Sequence, residues 1–176
     1  MVREQDNTLE ALQIAIQMEI DGKEFYLRVS EESTNDLGKK LLQALANEED
    51  IHRQKFAEIY NTIQTKKAWP AVDFQPDGGK SLRTIFAKAT EELGSNTKGP
   101  TSELEAVKTA MDMENKSYDF YKNQSKNTTS AIARDFYDTV SGEEREHHII
   151  LQDYYEYLQD PAIWFAKKEH PSLDGG

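Results

Sequence analysis

Apolar side chains recur at alternating spacings of three and four residues in four long segments, a period typical of amphipathic α-helices. A few polar residues interrupt each stripe where a core residue is expected. The stripes read Leu9, Leu12, Ile16, Glu19 and Tyr26; Leu42, Leu45, Glu49, His52, Phe56, Ile59 and Ile63; Leu104, Val107, Met111, Glu114, Tyr118 and Tyr121; and Tyr137, Val140, Glu144, His147, Leu151, Tyr154 and Leu158. The pattern predicts an all-α protein with four long helices, A to D.

Turn-forming residues mark the ends of these helices. Thr8 is the predicted N-cap of helix A, and residues 33–36 and 127–130 are short turns that join A to B and C to D. Residues 64–80 read as a loop, followed by a short helix from Ser81 to Leu93 with Gly94 as its C-cap. This insert is too long for a hairpin, so it predicts a crossover to the far end of a four-helix bundle.

The end of the chain predicts a short accessory helix and a tail. Asp160 and Pro161 suit the N-cap and first position of a helix over residues 162–168. We predict that residues 169–176, with His170, form an exposed coil. Trp69 and Trp164 are the expected packing anchors of the crossover and of this last helix.

The two halves of the chain repeat without a gap. Residues 9–63 align with residues 104–158 at a constant offset of 95, and 14 of the 55 pairs are identical. A gapless period of this length indicates a duplicated helical hairpin rather than a short solenoid repeat. We therefore predict a single domain over residues 1–176, internally duplicated over 9–63 and 104–158.

The polar residues within the stripes obey the same offset. They form two matched sets of two glutamates and a histidine: Glu19, Glu49 and His52, and Glu114, Glu144 and His147. A Glu and a His three apart share one face of a helix and can reach one metal ion, while a Glu on a neighbouring helix adds a third ligand. Four buried carboxylates without a cation would be costly. The pattern predicts a dinuclear metal site, with iron or manganese favoured and zinc possible.

Neighbouring residues have simpler interpretations. A single Glu-x-x-His is weak support, because acidic surface helices contain many such pairs; Glu48 and Glu143 point about 100° away from the stripes and are expected in solvent. His148 is expected at the surface or beside a ligand. Tyr26 and Tyr121 are either ordinary core residues or catalytic phenols that hydrogen-bond a ligand carboxylate.

Composition excludes several classes of protein. The net charge of −11 argues against nucleic-acid binding, and the absence of cysteine excludes disulfides and iron–sulfur or rubredoxin-type centres in this sequence. No apolar run approaches the roughly 20 residues of a membrane helix, and the N-terminus lacks the apolar segment of a secretory signal. We expect a cytoplasmic protein without a membrane partner.

The motifs Met18-Glu19, Glu49-x-x-His52, Met113-Glu114 and Glu144-x-x-His147 resemble those of the rubrerythrin family within the ferritin-like superfamily, over about residues 8–160. The resemblance implies a ferritin-like bundle with a di-iron centre. Glu19 and Glu114 would then be terminal ligands, Glu49 and Glu144 would bridge, and each histidine would complete one iron. It also implies peroxide or dioxygen reduction with electrons from an external donor such as a rubredoxin-type protein, in a homodimer.

Two departures from the family separate the possible functions. The chain has no rubredoxin domain, and Ser117 stands where rubrerythrins place an extra glutamate; its repeat counterpart is Gly22. Peroxidase chemistry is therefore less secure than metal binding. The alternatives are ferritin-like iron oxidation and storage, metal buffering or sensing, and a structural bundle with a vestigial site.

Overall fold

The computed structural model describes residues 2–95 and 98–169 and confirms the all-helical bundle with its long crossover. Within those residues the elements are six helices: α1 (Val2–Glu32), α2 (Asp36–Lys66), α3 (Lys80–Leu93), α4 (Thr101–Asn127), α5 (Ala131–Gln159) and α6 (Pro161–Glu169). Helices α1, α2, α4 and α5 correspond to the predicted helices A to D. Helices α3 and α6 are the two accessory helices.

Two hairpins build the bundle. Helix α1 packs along α2, and α4 packs along α5, while α3 contacts α2 and α5. The N-cap of α2 is Asn35, whose side chain accepts from the Gly38 N–H at 2.7 Å, and the N-cap of α5 is Ser130, whose hydroxyl accepts from the Ala133 N–H. These caps satisfy backbone N–H donors in the first helical turn of α2 and of α5. Each helix can therefore begin only a few residues after the preceding one ends.

Several helix ends differ from the sequence prediction. Helix α2 extends to Lys66 and α3 begins at Lys80, so both reach into the loop predicted over residues 64–80. Helix α1 begins at Val2, so Thr8 is not its N-cap; the Thr8 hydroxyl donates instead to the Glu4 carbonyl one turn earlier, which a threonine inside a helix can do. Glu169 belongs to α6 rather than to the tail. The rest of the predicted tail, with His170, lies outside the described residues.

The crossover is fastened to α5 by aromatic contacts. The Trp69 ring lies 6.1 Å from the Phe136 ring and 5.5 Å from the Tyr137 ring, centroid to centroid. Trp164 on α6 packs in the same way against Phe86 and Tyr157 at 5.5 Å each. Both tryptophans are therefore the packing anchors that the sequence predicts.

A polar layer divides the core of the bundle into two apolar clusters. One cluster contains Leu42 and Leu45 with Val107 and Leu151, and the other contains Leu12 and Phe56 with Tyr121 and Val140. Along all four long helices the residues between the clusters are the predicted ligands. The hydrophobic stripes thus bury these ligands in the middle of the bundle.

A second buried polar cluster locks the α1–α2 turn to the start of α4. Glu103 is 5 % exposed and accepts from the Ser33 hydroxyl at 2.6 Å and from the Tyr154 phenol at 2.5 Å. Asn35 Nδ2 also lies 3.4 Å from Glu103 Oε1. Gly38 passes close to this cluster, and an added Cβ would overlap the Ser33 and Tyr154 oxygens and lie 2.6 Å from Glu103 Oε1.

We expect Gly38→Ala to destabilise the fold by about 1–3 kcal/mol, the usual cost of overfilling a packed site. Gly142→Ala is the matched control, because nothing lies within 4 Å of its added Cβ. There alanine should stabilise α5 by up to about 1 kcal/mol through its higher helix propensity. Urea unfolding of both variants measures the difference. Equal stabilities would contradict the tight approach at Gly38.

Candidate metal centre

The predicted ligands meet in one buried layer, and none of the six is more than 3 % exposed. Each of the four long helices contributes: Glu19 from α1, Glu49 and His52 from α2, Glu114 from α4, and Glu144 and His147 from α5. Each helix directs these side chains inward because they occupy positions of its apolar stripe. The sequence pattern therefore located all six members of the cluster.

Each imidazole faces carboxylates from both hairpins. His52 Nδ1 lies 3.1 Å from Glu144 Oε1 and 3.4 Å from Glu19 Oε2. His147 Nδ1 lies 3.0 Å from Glu49 Oε1 and 3.4 Å from Glu114 Oε1. The two rings are stacked, with centroids 5.7 Å apart and planes 10° from parallel. Both Nδ1 atoms thus point into the carboxylates.

The ligand atoms form two overlapping groups, each with three carboxylates and one imidazole. One group contains His52 and the other contains His147, and within each the ligand atoms lie within 4.8 Å of one another. The groups are Glu19, Glu49, His52 and Glu144, and Glu49, Glu114, Glu144 and His147. Glu49 and Glu144 belong to both. Two carboxylates shared between two sites are what bridging of two cations requires.

Seven buried polar atoms of the cluster lack a hydrogen-bond partner, which suits the cluster to cations. In the described part of the chain, the buried side-chain atoms without a partner are Glu19 Oε2, Glu49 Oε1, His52 Nδ1, Glu114 Oε2, Glu144 Oε1 and Oε2, and His147 Nδ1. All belong to the six predicted ligands. Buried polar atoms are almost always satisfied in folded proteins. An oxygen-rich set with one imidazole per group is a donor set for divalent iron or manganese.

Burial and mutual repulsion shift the proton equilibria of the layer. Burial, reinforced by the neighbouring carboxylates, raises the pKa of Glu49 and of Glu144 well above the usual value. Burial alone would lower the pKa of His147, but Glu114 and the other acceptors around it raise that pKa well above the ordinary one. The metal-free layer therefore retains protons that a bound cation would displace.

Two tyrosines connect the hairpins through the ligand carboxylates. Tyr26 on α1 donates to Glu114 Oε1 on α4, and Tyr121 on α4 donates to Glu19 Oε1 on α1. Both phenols are buried, and burial together with the adjacent carboxylates raises their pKa well above the ordinary value. The tyrosines thus remain protonated donors. They fix the orientation of Glu19 and Glu114, the carboxylates that are not shared between the two overlapping ligand groups.

Glu48 and Glu143 correct the sequence prediction, which placed them in solvent. Glu48 Oε2 lies 2.6 Å from His147 Nε2, and Glu143 is only 5 % exposed. Together with His147 these carboxylates form a third group of possible ligand atoms. The offset of 95 between them was the signal that sequence reasoning passed over. Glu48 reaches the rim of the layer, where His147 presents its outer nitrogen.

Glu48 fixes the orientation of His147. An imidazole whose Nδ1 binds a metal carries its proton on Nε2, and a carboxylate that accepts this proton holds the ring and its tautomer. The described residues provide no equivalent hydrogen bond to His52 Nε2. Instead the Phe74 ring of the crossover lies edge-on to His52 at 5.6 Å. The two imidazoles therefore have different surroundings despite their matched sequence positions.

We expect Glu48→Ala to lower the affinity for Mn(II) about 10- to 100-fold, because loss of a group that orients a ligand typically costs that much. Glu48→Gln should lose less, since its amide oxygen can still accept the Nε2 proton. Glu10→Ala, on the exposed face of α1, is the control for loss of a carboxylate, because Glu143, the counterpart of Glu48, itself belongs to a group of possible ligand atoms. Chelator-buffered titration measures all three, and equal losses in both alanine variants would contradict the assignment.

Gly22 and Ser117 occupy matching positions in the two halves of the chain but have different surroundings. A Cβ added at Gly22 would lie 2.8 Å from Glu49 Oε2, so the glycine leaves room for that carboxylate. Ser117, its counterpart on α4, is half-buried. His148 is also half-buried, and its Nδ1 lies 3.2 Å from the Met111 carbonyl oxygen rather than in the layer.

A surface cleft of about 600 Å³ reaches the layer on the side of His52. Its lining includes Glu48, His52, Phe74, Asp77 and Glu143. The crossover supplies one wall of this cleft, which the helix pattern alone did not reveal. The cleft gives a small polar molecule or a cation a route to the edge of the candidate centre.

Comparisons with known proteins agree with this geometry. A family model described as rubrerythrin matches residues 10–155, a range that includes all six candidate ligands and both tyrosines. Neither the curated proteins nor the solved structures contain a match to the chain. None of the described helices combines the length and apolarity that a membrane crossing requires. Since the family match extends over most of the sequence, this chain belongs to the rubrerythrin family.

Proposed function

We propose that this protein is a di-iron carboxylate oxidoreductase that reduces hydrogen peroxide or dioxygen with electrons from an external donor. The observation that carries the proposal is the pair of overlapping ligand groups whose unpartnered buried atoms all face one layer. Two divalent ions offset the charge of four carboxylates. The donor set suits manganese as well as iron, and zinc can occupy it; membership of the family favours iron.

Iron in this layer would be held by His52 and His147 with Glu19 and Glu114 as terminal carboxylates and Glu49 and Glu144 as shared ones. When bound, the metals supply two electrons and open coordination positions for the oxidant. The protein supplies the fixed positions of the ligands, an apolar environment on both sides of the layer, and protons.

The tyrosines are the proposed catalytic proton donors. Reduction of one peroxide to two water molecules consumes two electrons and two protons, so a buried site needs proton donors close to the ligands. Tyr26 and Tyr121 each hold a proton at the phenol oxygen, against Glu114 and Glu19. Their raised pKa keeps that proton in place until a carboxylate or the oxidant accepts it.

The substrate and the electrons come from outside the bundle. The cleft beside His52 is the proposed path for peroxide, because it reaches the edge of the layer and has carboxylates in its lining. The sequence contains no cysteine and therefore no rubredoxin-type centre of its own. We propose a rubredoxin-type protein as the external donor and a homodimer as the working assembly.

Stopped-flow mixing of the ferrous protein, loaded without oxygen, tests the proposal. We expect peroxide to oxidise the protein faster than dioxygen, with repeated turnover once a rubredoxin-type donor is added. Accumulation of ferric iron in large assemblies without turnover of peroxide would favour storage instead. Protein that binds no iron would leave only a structural bundle.

Ser117→Glu tests the departure from the family at this position. The new carboxylate would lie one turn beyond Glu114 on α4 and would offer an additional ligand. We expect peroxide reactivity of the ferrous protein to rise, with Ser117→Gln as the control for side-chain size. If the wild type already turns over peroxide rapidly and Ser117→Glu changes nothing, the serine has no such importance.

A further inference from the structure

Three oxidisable rings connect the carboxylate layer with the surface. Tyr121, which donates to Glu19, stacks on Tyr137 with centroids 6.2 Å apart and planes 25° apart. Tyr137 in turn contacts Trp69 at 5.5 Å. Tyr121 is completely buried and Tyr137 nearly so, whereas Trp69 is half-buried and lines a surface pocket with Glu4 and Thr128. Tyrosine and tryptophan lose one electron far more readily than the phenylalanines around them.

The other half of the molecule lacks this connection. Trp164 lies 95 residues after Trp69, and Tyr26 lies 95 residues before Tyr121, but the residue 95 before Tyr137 is Leu42. Leu42 is fully buried in the apolar cluster that also contains Leu45, and Trp164 packs against that cluster. An aliphatic side chain cannot be oxidised in this way, so the series of rings is interrupted there. Among the described residues, a series of contacting tyrosine and tryptophan rings connects the layer with the surface on the Trp69 side alone.

We propose that Trp69, Tyr137 and Tyr121 form an electron-transfer chain between the surface and the carboxylate layer. The proposal rests on the oxidoreductase function, to which it adds the route of the electrons. Electron tunnelling weakens steeply with distance, so two steps between touching rings are much faster than one long step through aliphatic core. Tyr121 is the inner end because Glu19 accepts its phenol proton, and Trp69 is the outer end.

The electrons and protons balance at each residue. Tyr121 gives one electron to the oxidant in the layer, which is peroxide or dioxygen in the proposed function, and its phenol proton to Glu19 Oε1, and becomes a neutral radical. Each passage supplies one of the two electrons that reduction of a peroxide consumes. Trp69 gives one electron through Tyr137 to this radical, which takes its proton back from Glu19, and the indole N–H proton goes to solvent. A one-electron reductant at the surface then restores Trp69, which regains a proton from solvent.

Pulse radiolysis of the metal-free protein tests the chain without any metal chemistry. The Trp164→Phe background removes the other tryptophan, which contacts Tyr157 and would add a second signal. The azide radical takes one electron from Trp69 and becomes azide ion, and the indole loses its proton to solvent. We expect the tryptophanyl absorption to decay as a tyrosyl absorption grows, at a rate independent of protein concentration, as Tyr121 reduces Trp69 through Tyr137.

Matched variants in this background identify the residues. Tyr137→Phe, which keeps the ring and its packing, should lose the concentration-independent phase. In Tyr121→Phe only Tyr137 remains to reduce Trp69, so the tyrosyl absorption should grow to a lower final yield and at a different rate than in the parent. Tyr155→Phe, on the other apolar cluster, should behave as the parent does. Circular dichroism and melting curves establish that each variant is folded. Persistence of the phase in Tyr137→Phe, an unchanged rate and yield in Tyr121→Phe, or a rate that rises with protein concentration in the parent would overturn the proposal.

The electron-transfer chain and the proposed function can fail independently in these experiments. If the phase is present but the iron-loaded protein never reacts with peroxide or dioxygen, the chain stands and the oxidoreductase function fails. If the loaded protein turns over while the metal-free protein shows no intramolecular transfer, the function stands and the chain is wrong.

Discussion

Loading the metal-free protein with iron(II) or manganese(II) is expected to raise its melting temperature by about 10–20 °C. A ligand present at about 100 times its dissociation constant stabilises the folded state by roughly 2.7 kcal/mol per site, and this layer offers two groups. For a domain of this size each kcal/mol shifts the melting temperature by about 2–4 °C. Calorimetry with and without chelator measures the shift.

The stabilisation by metal should increase with pH. Glu49, Glu144 and both histidines have a raised pKa in the metal-free fold. A group whose pKa is higher in the folded than in the unfolded protein stabilises the fold at a pH below its unfolded pKa. This stabilisation is lost as the pH rises through its folded pKa. The free energy of unfolding of the metal-free protein should therefore fall as the pH rises above the ordinary pKa range of carboxyl groups, whereas that of the loaded protein should not. Parallel pH profiles for the two forms would show that the carboxylates are solvated.

Glu144→Gln is expected to change stability in opposite directions in the two forms. Glu144 is fully buried, is surrounded by Glu19 and Glu114, and has both oxygens unpartnered. Its neutral isostere removes repulsion and should stabilise the metal-free fold by about 1–4 kcal/mol, the range seen when buried charges are replaced. Because Glu144 belongs to both ligand groups, the metal affinity of both sites should fall. The fall should exceed the roughly 10- to 100-fold that follows loss of a residue which only orients a ligand.

Glu10→Gln on the exposed face of α1 is the control for charge alone. It should leave both stability and metal binding nearly unchanged, since surface substitutions typically alter stability by less than about 0.5 kcal/mol. If Glu144→Gln lowers metal-free stability, or leaves binding at both sites intact, Glu144 is not a shared ligand under repulsion.

The sequence predicted the layer because periodicity fixes which residues face inward. Glu49 and His52 occupy stripe positions on α2, and Glu144 and His147 occupy the matching positions on α5. Any helix with that stripe must bury them together, so spacing alone was sufficient. The roles of Tyr26 and Tyr121 also follow from their stripes, although only the structure shows that each phenol reaches the opposite hairpin. The internal duplication itself remains a prediction.

The helical periodicity of the sequence does not predict the contacts at the rim of the layer. Glu48 lies off the stripe of α2, but its long side chain reaches back to the outer nitrogen of His147. Phe74 and Trp69 lie in an irregular crossover, where no period relates a residue to its neighbours in space. Glu103 is buried by the close approach of Gly38, a contact between distant parts of the chain. Such contacts depend on tertiary packing.

We propose that the six residues of the layer hold two metal ions and share Glu49 and Glu144 between them. Anomalous diffraction from crystals of the manganese-loaded protein is the decisive test. We predict two peaks per chain in the layer, about 3.5–4 Å apart as in other two-metal sites, with His52 at one and His147 at the other. A single peak, or peaks held by Glu48 and Glu143 outside the layer, would contradict the account.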